Sequence, residues 1–517
     1  MPILTTEETA FAEAVGALTY CNPFLPERIE AEKVAAGAAF IPHGDVWSVK
    51  AGDDAEAPNI RTISAKVEKV TAAICTRLHA VDAKPTRREL SLYRDLVVYT
   101  LYYRFVDELL ELVERGLDPM TERLDCPTLY RRFNRDCREL LELPGVHLPD
   151  EDIAHFFACQ YQIRRAFNLT FHWIVGGSMA TARLRASVWQ SVFTHDMRRY
   201  RRSLYDRMGD LPVLITGASG TGKELVAKSI AMSRYIPFDP KSGSFAAIPG
   251  RDFFGINLSA ITPTLVESAL FGHRRGAFTG ALEDRDGWLQ TCGPHGTVFL
   301  DEIGEITRDL QVKLLRVLET RVFQRVGDVQ EFPFQGKLTA ATNRDLGEEI
   351  EAGRFRADLY YRLCGDLIRT PSLCEQIGES PAELRNLTLF VAGKLVPEAE
   401  ADDLARDVLH WIENHLGADY PWPGNVRELE QCVRNVLVRG EYQPLKRPKR
   451  PTDAMTEFLE EVRTGRLSLD RLTELYITLV YQQDQNYVHA AESMGIDRRT
   501  VKARLDHDFL RGLAADA

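Results

Sequence analysis

The stretch "LPVLITGASGTGKELVAKSI", residues 211–230, decides the fold. A short apolar, β-branched run leads into a glycine loop and then into a segment with helical spacing. That order predicts strand, loop and helix. The loop Gly217-Ala218-Ser219-Gly220-Thr221-Gly222-Lys223 fits the phosphate-binding pattern. Backbone N–H groups of Gly220 to Lys223 can cradle phosphates at a helix N-terminus, and Lys223 reaches the terminal phosphate oxygens. The next residue departs from the pattern: Glu224 stands where a Ser or Thr usually ligates Mg2+.

A second stretch completes the site. "GTVFLDEIGE", residues 296–305, reads as an apolar strand ending in Asp301-Glu302. An aspartate at the C-terminal end of a strand can hold Mg2+, directly or through water, and an adjacent glutamate can polarise the attacking water. From Leu211 to about Gly365, short runs such as "PVLITG", "GTVFLDE" and "GKLTAATN" alternate with helical stretches. This alternation predicts a three-layer α/β sheet.

Outside that region the chain changes character. Its 517 residues exceed one hydrophobic core, so several domains are expected. With 44% hydrophobic and 27% charged residues it is neither disordered nor fibrous. A net charge of −11 excludes a global basic field, so any nucleic-acid contact must come from a local patch. Nine cysteines without CxxC pairs fit a reducing cytoplasm. The acidic start predicts no secretory signal, and no apolar run approaches the ~18 residues needed to cross a bilayer.

The motifs "GASGTGKE", "ESALFGHRRGAFTGA", "GTVFLDEIGE", "KLLRVLE", "ATNRDL", "FRADLYYRL" and "YPWPGNVRELEQ" follow one another in a characteristic order. Through them the stretch from about 211 to 440 resembles the AAA+ domain of bacterial sigma-54-dependent transcriptional activators, the enhancer-binding proteins. Glu224 is itself usual in that family. The resemblance implies a ring, usually a hexamer, with ATP and Mg2+ between subunits. It implies that Asn343 senses the γ-phosphate and that Arg356 and Arg362 are offered to the neighbour's ATP. An arginine supplied in trans is worth roughly 10³–10⁵ in rate in related phosphoryl transfers. Arg427 matches a second sensor on a helical lid, and Asn257 matches a residue that restrains the catalytic Glu302. Gly276-Ala277-Phe278-Thr279-Gly280-Ala281 matches the tip of a loop that grips the sigma-54 factor on RNA polymerase. Physical chemistry agrees with that role: burying Phe278 on a partner is worth ~1.5–3 kcal/mol. Thr279 adds a hydroxyl, and the small flanking residues permit close approach. One departure stands out, since Cys374 and Gln376 in "TPSLCEQIGES" occupy positions where the family usually carries arginines.

The C-terminal segment "LTELYITLVYQQDQNYVHAAESMGIDRRTVKARLDHD" reads as three helices, the last two joined by Gly495-Ile496. The final helix carries Arg498, Arg499, Thr500, Lys502 and Arg504 behind Asp497, a plausible N-cap. It resembles the Fis-like helix-turn-helix that usually ends these activators, which implies contact with double-stranded DNA at enhancer-like sites.

The expected architecture is multidomain. A helical regulatory domain (1–190) and a helical linker (191–210) precede an α/β AAA+ P-loop ATPase subdomain (211–370) with its helical lid (371–440). A linker (441–465) leads to a three-helix, helix-turn-helix unit (466–517). The expected function is ATP-driven activation of sigma-54 RNA polymerase. Two alternatives are a remodelling ATPase acting on another protein and a DNA-binding regulator that uses ATP only to assemble. Residues 1–190 carry no phosphoacceptor pattern, and they are expected to control the ring. His155 and Cys159, four apart on one helix face, admit metal or haem ligation or a buried core pair.

Overall fold

The computed structural model describes residues 3–43, 58–80, 84–144, 147–417, 420–445, 454–463, 465, 467–507, 509–510 and 513. They form two compact units, Met1–Glu441 and Tyr442–Ala517.

The first unit opens with α1 (Thr6–Tyr20), α2 (Glu27–Ala36), α3 (Pro58–Leu78), α4 (Arg87–Arg104), α5 (Val106–Leu117), α6 (Pro127–Leu141), α7 (Asp150–Trp173) and α8 (Met179–Phe193). Local chemistry sets several of these starts. Thr5 and Thr86 each begin a helix with a reciprocal capping box, to Glu8 and Glu89. Glu89 also accepts the N–H groups of Ile3 and Leu4, at 2.7 and 3.2 Å. These donors, the Thr86 N–H first, pull its carboxyl down to about 2.

The α/β core is a five-stranded parallel sheet of β1 (Val213–Thr216), β2 (Phe253–Asn257), β3 (Thr297–Asp301), β4 (Lys337–Thr342) and β5 (Asp366–Arg369). The spatial order is β5-β1-β4-β3-β2. Side chains alternate between the two faces, as the strand period requires. One face sets Leu214, Ile256, Val298, Leu300, Leu338 and Ala340 against Leu310, Leu314 and Val317 of a helix at Arg308–Thr320. The opposite face sets Val213, Ile215, Phe299, Ala341 and Ile368 against Val226, Ala227 and Ile230 of α9 (Lys223–Met232).

That second face carries a finding that the sequence did not foretell. Ile174, Leu184 and Val188, from the end of α7 and from α8, belong to the same cluster as Val213, Ile215 and Ile368. The helical region therefore supplies part of one layer of the α/β sandwich. A second seam joins Ile236, Phe238 and Phe245, around the hairpin Phe238–Asp239/Ser244–Phe245, to the aromatic core of α6 and α7. Phe157 meets Phe238 edge-on at 5.0 Å and stacks on Phe245 at 5.9 Å. Residue 190 is thus no boundary in packing. Residues 191–210, read as one helical linker, are a broken path: Thr194 sits at φ 64, ψ 178, followed by a short turn of helix and a π-type turn at Tyr200–Leu204. Lys337 Nζ donates to Met208 O and Leu211 O at 2.9 and 2.6 Å, which fastens this path to the base of β4.

Truncation is the direct test. Removing Ile174, Leu184 and Val188 withdraws about 1.5–3 kcal/mol of burial each, comparable in sum with the stability of a whole domain. A chain starting at residue 191 is expected to expose the sheet face, bind a hydrophobic dye and aggregate. Soluble, cooperatively melting material of that length would refute this packing argument.

The lid comprises α10 (Leu373–Glu379), α11 (Ala382–Gly393), α12 (Glu398–His415) and α13 (Asn425–Arg439). It is clasped by the helical region. Gly177 N–H donates to Glu383 Oε2 at 2.7 Å, and Thr181 Oγ1 donates to Gln376 Oε1 at 3.1 Å. Arg183 pairs with Glu379 at 2.8 Å.

The second unit holds α14 (Ala454–Arg463), α15 (Leu469–Asp484), α16 (Tyr487–Met494) and α17 (Arg498–Ala503). The expected linker at 441–465 is corrected in part: 454–463 is helical. Its amphipathic "AMTEFLEEVR" buries Phe458, which meets Phe509 at 5.7 Å. Residues 446–453 and 464 of that expected linker lie outside the described residues.

Candidate functional site

The loop after β1 turns through positive φ at Gly217 (149°), Gly220 (79°) and Gly222 (87°) and delivers Lys223 as the first residue of α9. Glycine at 220 is required for a further reason. A Cβ there would lie 2.2 Å from Gly424 O of the lid. Lys223 is buried, and its Nζ donates to Gly217 O and Ala218 O at 3.0 and 3.2 Å. Burial lowers its pKa, and the charges of Glu302 and Asp301 oppose that shift. Thr221 faces the sheet, where its Oγ1 lies 2.7 Å from Thr370 Oγ1. Glu224 points along α9 to Lys228 at 2.9 Å.

β3 brings Asp301 to the same end of the sheet. Burial raises the Asp301 pKa, and Lys223 acts against the shift. Burial thus disfavours charge on both partners; an anion such as phosphate beside Lys223 would favour its charged form, and a cation beside Asp301 would favour the carboxylate. Glu302 follows in the left-handed region, at φ 56, ψ 51. A non-glycine residue held there costs of order 1–3 kcal/mol, a strain that clusters at functional sites. Its Oε2 accepts the Asn343 N–H at 3.2 Å, across the gap between β3 and β4. Asn257, read as restraining Glu302, instead donates to Asp301 Oδ2 at 3.2 Å. The physical reason is register: β2 pairs with β3 so that Asn257 lies opposite Asp301.

The lid closes the loop from above. Asn425, at φ 53, donates to Ser219 O at 2.9 Å while its Oδ1 accepts the Leu373 N–H at 2.9 Å. Arg427 lies 3.4 Å from Ser219 Oγ. Asn425 and Thr370 escaped the sequence reading. Their signal, the turn "PGN" before a helix and a threonine after a strand, takes meaning only once the lid folds over the loop. Cys374, at one departure from the family's arginines, donates to Pro421 O at 3.0 Å; Gln376, at the other, faces Thr181.

Arg356 and Arg362 sit elsewhere. Arg356 makes a bidentate pair with Asp358 at 3.0 and 2.7 Å, and Arg362 pairs with Glu319 at 3.4 Å. Among the described residues neither contacts this chain's own nucleotide loop.

The loop 276–281 is held by itself. Gly276 N–H donates to Ala281 O at 2.8 Å, and Ala281 N–H donates to Phe278 O at 3.0 Å. Gly276 and Gly280 have positive φ, and a Cβ at either would meet nothing within 4 Å. Phe278 is not the bare side chain its sequence suggests. It is half-buried, its ring 5.0 Å from His273 at 64°. Thr279 is exposed.

The basic residues of the second unit occupy the short α17, with Asp497 accepting the Arg499 N–H at 2.7 Å as its cap. Gly495 makes the turn from α16 at φ 64. Arg498, Arg499, Thr500 and Lys502 are exposed. Arg504, just past the helix, is also exposed and lies 3.4 Å from Asp470.

Cys159 is buried and His155 half-buried beside it, with the imidazole 2.8 Å from Tyr235 Oη and 2.7 Å from Arg201 O. Among the described residues no group of three or more His, Cys, Asp or Glu could hold a metal, and no helix is long and apolar enough to cross a membrane. A cation at the candidate site would therefore rely on Asp301, with ligand phosphates and water completing its shell.

The family model of the sigma-54 interaction domain matches residues 192–368. The transcriptional regulatory protein ZraR of Salmonella typhimurium is 38% identical over 303 residues, 57% of this chain and 63% of that protein. The Nif-specific regulatory protein of Azotobacter vinelandii is 42% identical over 230 residues, 44% of this chain and 40% of that protein. The chain thus spans about three fifths of the length of the first and two fifths of the second. The solved structure of NtrX from Brucella abortus in complex with ATP is 21% identical, covers 71% of this chain and 76% of that chain, and superposes with a TM-score of 0.39.

Proposed function

We propose that this chain, which belongs to the sigma-54-dependent transcriptional activators, hydrolyses ATP in a ring and uses the cycle to remodel sigma-54 RNA polymerase. The observation that carries the reading is the convergence of Lys223, Asp301 and Glu302 under a lid that touches the glycine loop through Asn425 and Arg427. The site suits the nucleotide: positive-φ glycines leave room for phosphate, and Lys223 is already desolvated. Mg2+, when bound, would neutralise charge on the transferred phosphoryl group, with Asp301 as its protein ligand.

Each residue then has a task. Lys223 leaves the carbonyls of Gly217 and Ala218 to take phosphate oxygens. Glu302 accepts a proton from water, its orientation fixed by the Asn343 N–H. Arg427 reports closure of the lid. Arg356 and Arg362 face a neighbouring subunit, which accounts for their standing apart from their own loop. The exposed Thr279 and half-buried Phe278 present the loop tip to sigma-54. Residues 1–190 govern assembly through the clasp on Glu383 and Gln376. ATPase assays, followed by sigma-54 binding with an ATP transition-state mimic, test the reading. Activity without sigma-54 binding would favour a remodelling ATPase with another target.

DNA binding is assigned to α17. Arg499→Ala with Lys502→Ala is expected to weaken binding and to flatten its salt dependence by ~0.9 in log–log slope for each DNA phosphate the variant no longer neutralises. Gel-shift affinities unchanged across salt concentrations would remove that role from this helix.

A further inference from the structure

A cleft of about 500 Å3 lies between α6 and the tip of the hairpin Phe238–Asp239/Ser244–Phe245. Arg131, Arg135 and Arg138 enter it from one face of α6, at i, i+4 and i+7, and Lys241 and Ser242 enter from the hairpin turn. No Asp or Glu lines it. The carboxylates nearby are used elsewhere. Asp136 is shared between Arg135 and Arg104, at 3.0 and 2.8 Å. Glu142 and Asp150 both pair with Arg138. Asp239 accepts the Lys241 and Ser242 N–H groups at 3.0 and 3.2 Å, which shapes the turn. Among the described residues Arg131 bonds within its own first turn, to Pro127 O and Thr128 Oγ1 at 3.4 and 3.3 Å, and the Lys241 charge acts on Asp239 without a side-chain hydrogen bond. Arg131 on one wall forms no ion pair among the described residues, and Lys241 on the other has only the exposed Asp239 of its own turn as a nearby counter-charge.

The walls are built to stay in place. Cys126 N–H donates to Gly243 O at 2.9 Å and Phe245 N–H donates to Leu124 O at 3.1 Å, so the segment before α6 extends the hairpin as a third strand-like edge. Gly243, at φ 69, lets the edges approach; a Cβ there would sit 2.8 Å from Pro127 Cβ.

We infer that this cleft binds the phosphate group of a small anionic molecule and bridges the helical region to the hairpin of the α/β core. A phosphate carries about −1.5 to −2 charges and three acceptor oxygens at neutral pH, which matches cations converging from two walls. The volume lies in the range of small-molecule sites. The inference goes beyond the ATPase reading and does not depend on it.

The test is titration calorimetry on the full chain without added nucleotide, whose phosphates would compete for the cleft, with variants of the cleft separating binding here from binding at the glycine loop. The probes are ribose 5-phosphate, inorganic phosphate and ribose. Ribose 5-phosphate is expected to bind and ribose to give no heat. Arg131→Glu with Lys241→Glu should weaken phosphate binding about tenfold or more, whereas Arg131→Lys with Lys241→Arg stays within about threefold. Both residues are exposed, so melting temperatures should coincide with wild type and exclude misfolding. Tighter binding of ribose 5-phosphate than of inorganic phosphate supports an ester as ligand, and equal affinities support the free ion. Equal affinity in wild type and the Glu variant, or no heat from either phosphate at millimolar concentration, would overturn the site. So would binding of a short RNA oligonucleotide by a chain that takes up neither small phosphate.

Discussion

Glu302→Gln is expected to bind ATP as tightly as the wild type and to turn it over about 10²–10⁴-fold more slowly, the span that a positioned general base contributes. The geometry motivates both halves of that outcome. Gln is isosteric, so its amide oxygen can still accept the Asn343 N–H that Glu302 Oε2 accepts at 3.2 Å. The strained backbone at φ 56 is unchanged by the substitution. Lys223 and the glycine loop, which would carry nucleotide affinity, lie on a different strand-to-helix turn. Only the capacity to take a proton from water is lost. The measurements are steady-state phosphate release and equilibrium binding of a fluorescent ATP analogue. Turnover near the wild-type rate would show that Glu302 is a structural turn residue and not the base.

How far the sequence spoke depended on whether a signal was local. The glycine loop and the strand ending at Asp301 were legible because short continuous apolar runs and a glycine-rich turn are written in consecutive residues. The parallel sheet followed from the alternation of such runs with helices. The role of α8 was not legible. "MATARLRASVWQSVF" is apolar on more than one side, and nothing in its spacing says that Leu184 and Val188 cover Val213 and Ile215. Asn425 and Thr370 were missed for the same reason: their partners, Ser219 and Thr221, are 206 and 149 residues away in sequence. The register that gives Asn257 to Asp301 is likewise set by strand pairing, which a motif cannot specify. Phe278 was legible as an apolar residue in a small-residue loop, but its resting place against His273 was not.

Thr279→Ala is expected to leave ATP turnover within about twofold and stability within about 0.5 kcal/mol of wild type, as for a surface substitution away from special features, while open-complex formation by sigma-54 polymerase is abolished. Thr279 is exposed, and its hydroxyl makes no hydrogen bond to any described residue. The loop keeps its shape through backbone bonds at Gly276, Phe278 and Ala281, none of which needs the Thr279 side chain. Phe278→Ala is a less clean probe, because it also removes the ring packing on His273, whose Nδ1 lies 2.7 Å from Ser268 Oγ in the supporting helix. A threonine that is exposed at the tip of a loop flanked by open-sided glycines is sterically accessible to another molecule. The measurement is open-complex formation on supercoiled template at matched ATPase rates. Transcription unchanged by Thr279→Ala would overturn the proposed grip of this loop on sigma-54. Loss of ATPase activity together with transcription would instead tie this loop to the nucleotide site.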